Sequence, residues 1–326
     1  TSFQIFEQNR QELGLIERFG IATLEPSASR AVSLYETREI TMRKLQQVIT
    51  ATPANDGDGV RIHRLAGAGL RAVLNPFLMI DEINSDAASD YIGGFPTHPH
   101  RGFETITYMK AGRMRHRDHM GNEGVIGPGD VQWMTAGAGV LHSEMPEQEE
   151  GLLHGFQLWL NLPGSEKMKP AAYRDIPAAD ITFRQFDHGA AVAVIAGTVE
   201  IEGQALTGPI RGLATEPVLL DVELRGMTQI ALTLPQRNRA LVYIYQGSTD
   251  QLRQRELGVF TAGSSLSLAA GAEGMRALVL SGRALDEPVV QYGPFVMNTR
   301  EEVEQALSDY RNNTLVDMPG APPTAG

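Results

Sequence analysis

The chain has 326 residues, no cysteine, 28 basic against 39 acidic side chains and a net charge of −11. At about 150 residues per domain this length suggests two domains, and the acidic balance argues against direct, sequence-blind binding to nucleic acid. The lack of thiols excludes disulfides, zinc–thiolate sites, iron–sulfur clusters and cysteine catalysis, so any metal must rest on His, Asp, Glu or backbone oxygen.

Residues 1–41 are polar, with a short helix predicted around 6–19 and neither the basic start nor the apolar segment of a secretory signal. They read as an upstream extension, non-native or disordered, and Met42-Arg43-Lys44 before a strand-like run at 45–50 reads as a native start. From about residue 60, short apolar-alternating runs recur at 72–80, 104–110, 125–126, 131–134, 152–162, 190–198, 218–224, 229–234, 240–245, 265–268 and 277–281. Turn chemistry such as Gly127-Pro128-Gly129-Asp130 separates them, and the spacing of roughly ten residues predicts an all-β sandwich or barrel. Pro163, Gly164, Pro170 and Pro177 break the pattern, so 162–180 reads as a linker between a domain over 42–161 and a second over 181–316. Thr299 and Glu302 have capping-box spacing ahead of an apolar stripe of Val303, Ala306, Leu307 and Tyr310, which predicts a helix over 300–311. Residues 317–326 read as a disordered tail. No apolar stretch approaches the roughly 20 residues of a membrane helix, and a cytoplasmic protein is expected.

Chemistry concentrates in two stretches. His98 and His100 stand two apart, as do His142 and Glu144. On strands, such pairs leave one face, so two neighbouring strands can aim three imidazoles and a carboxylate at one point. Four polar groups turned into a barrel interior cost several kcal/mol if unpaired. A divalent ion offsets that cost, and with nitrogen and oxygen donors the plausible ions are Fe, Mn, Ni, Cu or Zn. Coordination positions left open mark a catalytic site. Glu104 competes with Glu144 as the carboxylate, because it shares parity with His98 and His100. Arg113, Arg115 and Arg117 alternate with Met114, His116 and Asp118, which sends the arginines to solvent and His116 inward, behind the ligands. Phe103, Trp133, Met134, Gln157 and Trp159 are candidates for the pocket wall; His63, His119 and His154 read as turn and strand-surface residues. The glycine-containing turns at 67–70 and 135–139 are not phosphate cradles, since no strand–helix context is evident around them.

The stretches DYIGGFPTHPHRGFETITYM, GVIGPGDVQWMTAGAGVLHSEMP, FQLWLNLP and YGPFVMNTREEVEQALSDY resemble the pirin family, over about Arg61 to Arg311. The resemblance implies two tandem cupin (jelly-roll-like) β-barrels, an N-terminal one that binds iron and a C-terminal one without metal. It implies His98, His100, His142 and Glu144 as the ligands, and leaves Glu104 to hydrogen-bond a ligand imidazole. Some pirins are similar to quercetin 2,3-dioxygenases, which implies a metal-dependent enzyme that opens a flavonol or related phenolic with O2. Glu144 then accepts the substrate proton, and Fe(II) is expected ahead of Mn, Ni, Cu or Zn. Other pirins resemble redox-sensitive co-regulators, which implies instead an iron-dependent protein that binds a transcription factor or metabolic enzyme. Two barrels in one chain allow a monomer.

Overall fold

Alternation of apolar and polar side chains builds strands throughout residues 40–317, the part of the chain that the computed structural model describes. The helix predicted at 6–19, nearly all of the extension and the tail from 318 lie outside the described residues.

The first barrel pairs two antiparallel sheets. A four-stranded sheet runs Phe95–His100, Val140–Pro146, Met114–Asp118, Glu123–Ile126. Its edge position suits Phe95–His100, because Pro96 and Pro99 have no N–H to donate to a second neighbour. The facing seven-stranded sheet is centred on Phe103–Ala111, Leu153–Asn161 and Phe77–Ser85. The second barrel is a ten-stranded sheet organised around Ser265–Gly282, with Val218–Leu224 and Arg239–Thr249 at its sides. Its interior is hydrocarbon: Val192, Val194, Leu220, Val222, Val242 and Val279 form one buried cluster. Each such side chain contributes about 1.5–3 kcal/mol by leaving water.

The outer faces of the two large sheets pack together, with Ile80, Phe156 and Leu158 from the first against Leu241, Tyr243 and Leu278 from the second. Two buried carboxylates lie in this seam. Glu82 accepts from Tyr243 Oη at 2.6 Å and Asn84 Nδ2 at 3.1 Å, and lies 3.2 Å from His154 Nε2. Burial alone would raise the Glu82 carboxyl; its partners His154, Tyr243 and Asn84 outweigh that and hold it below the usual range. Asp221 accepts from Tyr108 at 2.6 Å and Tyr245 at 2.7 Å, and also pairs with Lys110. His154 is therefore a seam residue rather than a strand-surface one.

Several expected boundaries shift. The run at 72–80 divides into a four-residue helix, Arg71–Leu74, and the strand Phe77–Ser85, because Pro76 disfavours helical backbone at Asn75. The 67–70 turn thus does precede a helix, though one of a single turn. The runs at 265–268 and 277–281 are one strand of 18 residues. The predicted linker holds a strand, Ala172–Ile176, which pairs with Val131–Thr135 of the first barrel. The expected domain limits are crossed at both ends. Leu45–Thr50 pairs with Glu256–Phe260 in the second barrel. In return, the hairpin Val290–Tyr292/Phe295–Met297 reaches the first barrel through a bridge from Phe295 to Arg101. The helix Arg300–Arg311 follows, with both capping-box bonds formed between Thr299 and Glu302.

Lys167 fastens this return segment. The residue is 1 % exposed, and its ammonium donates to Gly102 O at 2.7 Å, Asn161 Oδ1 at 2.6 Å and Val296 O at 2.9 Å. Gly102 turns the chain between the two sheets at φ +90°, and a Cβ there would stand 2.1 Å from Val296 O, so only glycine fits.

Candidate metal centre

The edge strand Phe95–His100 and its neighbour Val140–Pro146 bring the histidines together. His142 lies opposite His98, and a register shift follows, so that Glu144 lies opposite Phe95. Among the described residues, His98, His100 and His142 are the group whose potential ligand atoms all lie within 4.8 Å of one another. His98 Nε2 stands 3.0 Å from His100 Nε2. Two imidazole nitrogens that reach one ion at right angles, each at about 2.1 Å, have about this separation. His98 Nδ1 is held by Pro96 O at 2.9 Å, which leaves Nε2 for the cluster.

His142 supplies the strongest observation. Its Nδ1 is bonded to His116 Nε2 at 3.0 Å, whereas its Nε2 is buried with no hydrogen-bond partner. An orphaned buried nitrogen costs about 1–3 kcal/mol in a native fold, and a metal ion removes that cost. Burial pushes His142 well below the usual imidazole range, helped by the charges His100, His98 and His116 would carry. Burial and His98 do the same to His100 against the Pro294 carbonyl. Both rings are thus neutral donors, as a ligand imidazole must be.

Glu144 is buried on the same cavity but outside the imidazole cluster. Thr107 Oγ1 lies 2.9 Å from Glu144 Oε1 and 2.7 Å from Gln157 Oε1, and Gln157 Nε2 donates to Glu144 Oε2 at 3.3 Å. The threonine has one hydrogen for two acceptors. Its hydroxyl therefore donates to one of the two oxygens at a time, Glu144 Oε1 or Gln157 Oε1. Thr107 and Gln157 thus fix the orientation of the Glu144 carboxylate, one donor at each oxygen.

The cavity has a volume of about 1050 Å³ and is walled by His98, His100 and Glu144 together with Phe95 and Trp159. On its rim Arg64 is already paired, at 2.9 and 2.6 Å, with the two oxygens of Asp81. Trp159 packs edge-on to His100, with ring centroids 5.3 Å apart, and Phe103 packs against both.

Other expected residues fall elsewhere. Glu104 bonds no imidazole: it accepts from Thr135 Oγ1 at 2.7 Å and Trp133 Nε1 at 3.1 Å, with Lys169 Nζ at 3.5 Å. Parity with His98 and His100 does not carry over, because Gly102 moves the chain to the other sheet. There Ile106 and Tyr108, which share the parity of Glu104, face the inter-barrel seam, while Thr107 and Met109 face the cavity. Trp133 is likewise in the seam, and Met134 packs with Ala136 and Val140 away from the cavity. His116 is inward, as its alternation with exposed arginines predicts. Sequence reasoning missed Thr107, although its alternation with Met109 could have placed it, and missed Gln291 and Pro294, which reach the cavity from the far end of the chain.

The family model described as Pirin matches residues 59–160, and that of the Pirin C-terminal cupin domain matches 219–316. A Pseudomonas aeruginosa protein provisionally named quercetin 2,3-dioxygenase is 48% identical over 281 residues, covering 84% of this chain and 98% of its own. Human pirin is 36% identical over 281 residues, covering 83% of this chain and 93% of its own. The crystal structure of a quercetin 2,3-dioxygenase from Acinetobacter baumannii superposes with a TM-score of 0.77 at 33% identity, over 85% of this chain and 99% of that one. No helix among the described residues is long and apolar enough to cross a membrane.

Proposed function

From the premise that this chain belongs to the pirin family, we propose that it is a metal-dependent dioxygenase that opens a quercetin-like flavonol or related phenolic with O2. His98, His100 and His142 would hold Fe(II), with Glu144 as the carboxylate. The observation that carries this reading is the buried, partnerless Nε2 of His142 facing two further imidazoles on a cavity of about 1050 Å³. When bound, the ion supplies Lewis acidity toward a phenol oxygen and a redox centre for O2.

The chain's own residues do the rest. Phe95 and Trp159 offer flat apolar walls to an aromatic substrate. Glu144 Oε1 receives the proton of the substrate hydroxyl, and Thr107 and Gln157 keep that carboxylate aimed. Three neutral donors and one carboxylate leave a divalent site with a net charge of +1, which favours a phenolate.

The test is turnover. Protein loaded with iron is mixed with quercetin in air, and loss of flavonol absorbance is followed together with O2 uptake. Coupled loss of both supports the enzyme. No turnover with Fe, Mn, Ni or Cu overturns it in favour of a regulatory binding protein.

A further inference from the structure

Two buried imidazoles joined by one hydrogen bond leave a question of proton placement that decides whether the site can bind a cation. His116 Nε2 and His142 Nδ1 are 3.0 Å apart, and both residues are 1 % exposed. The bond holds a single hydrogen. If that hydrogen belongs to His116, His142 must carry its own on Nε2. A buried N–H with no acceptor would then point into the cluster, and the ring would have no lone pair to offer there. If the hydrogen belongs to His142, Nε2 is a bare lone pair aimed at His98 and His100, and His116 is the acceptor, with its own hydrogen on Nδ1. Only the second arrangement leaves no orphaned donor on His142.

We propose that His116 is a positioning residue that fixes His142 in the Nδ1–H tautomer and so prepares Nε2 as a donor before any ion arrives. The fold supports this. His116 sits on Met114–Asp118, the strand paired to the other side of Val140–Pro146 from the strand that carries His98 and His100. The ring of His116 packs 5.0 Å from that of Tyr173, on the strand Ala172–Ile176 that closes the barrel. His142 is therefore held between two strands, one that shares its cluster and one that sets its proton. A ligand imidazole more often has a carboxylate or carbonyl as its outer partner. A neutral imidazole in that place orients the ligand without adding a negative charge behind it.

The inference rests on the metal reading only for what the lone pair binds; the tautomer is readable without metal. Nitrogen-15 NMR of the metal-free protein reports which nitrogen of His142 bears hydrogen. The wild type is expected to show Nδ1–H, and His116→Phe, which keeps a ring but no acceptor, to move population to Nε2–H. Affinity for Fe(II) or Zn(II), measured by chelator competition, should fall about 10- to 100-fold in His116→Phe. His116→Gln, whose Oε1 can accept the bond, should recover most of that loss at equal melting temperature. An Nε2–H tautomer in the wild type overturns the proposal. So does equal affinity in wild type and His116→Phe, or no recovery in a folded His116→Gln. A wild type that shows Nδ1–H yet never turns over a phenolic overturns the enzyme reading alone.

Discussion

Arg101 Nη1 donates to Asp309 Oδ2 at 2.6 Å, so the residue that follows His100 in the chain holds the C-terminal helix against the first barrel. The same guanidinium reaches the carbonyl oxygens of Ala138 and Leu315. Arg101→Ala should cost about 2–3 kcal/mol, the scale of hydrogen bonds to a buried charged group. Chemical denaturation of wild type and variant measures the difference, and a change within ±0.5 kcal/mol would show the contact to be ornamental.

The same pair predicts an acid response. Burial tends to raise the Asp309 carboxyl, but hydrogen bonds from Arg101 and Gln305, with the charge of Arg101, hold it below its ordinary value. A carboxylate depressed in the folded state stabilises above its unfolded pKa of about 3.9, and that contribution is lost as pH falls through the lower folded value. Protection of the amides in the helix Arg300–Arg311, measured against the intrinsic exchange rate at each pH, should therefore fall below about pH 4. Asp309→Asn should show weaker protection at neutral pH and a flatter acid dependence.

Lys167 has three oxygen acceptors and no carboxylate. Lys167→Met keeps the length of the side chain but leaves those oxygens unpaired in the interior. The expected loss is about 1–3 kcal/mol for each buried acceptor left unpaired, visible as a lower melting temperature. An unchanged melting temperature would mean that water takes over all three bonds.

Glu144→Gln separates proton transfer from metal retention. The variant keeps the size of the side chain and both hydrogen-bonding neighbours. Turnover of a phenolic should drop by about 10²–10⁴, with a smaller loss of bound metal. Equal losses would assign Glu144 to metal binding only. Gln157→Leu should lower turnover with metal content unchanged, since it removes the donor at Oε2.

His98→Ala and His142→Ala should each lower metal affinity by more than the roughly 100-fold that an outer partner of a ligand supplies. The circular dichroism spectrum should remain that of a β protein, because the strands bearing both residues keep their ladder bonds. Full metal occupancy in either variant would remove that residue from the ligand set.

The fold class was legible because turn residues recur at strand spacing, and the C-terminal helix because Thr299 and Glu302 announce its first turn. The imidazole cluster was legible for a local reason: a spacing of two on a strand needs no knowledge of the rest of the chain. What failed was parity carried across a turn. Glu104 counts as the same face as His100 until Gly102 passes the chain from one sheet to the other, after which the count restarts. Trp133 and Met134 failed differently. A two-layer barrel that also packs on a second barrel has apolar residues on both faces of its large sheet, so alternation cannot say which face looks into the cavity. Contacts such as Pro294 at the cavity wall, nearly 200 residues from His98, leave no local trace at all.

The exchange of end segments between the barrels has a practical corollary for anyone dissecting this molecule. A cut between residues 162 and 180 would not yield two self-sufficient halves. The upstream fragment would take with it the strand Leu45–Thr50 that its partner needs, and would forfeit the helix that grips Arg101. The downstream fragment would present a bare edge at Glu256–Phe260, open to pairing with whatever strand it meets. The two barrels behave as clasped hands, so co-expressed fragments should reassemble where separately expressed ones aggregate.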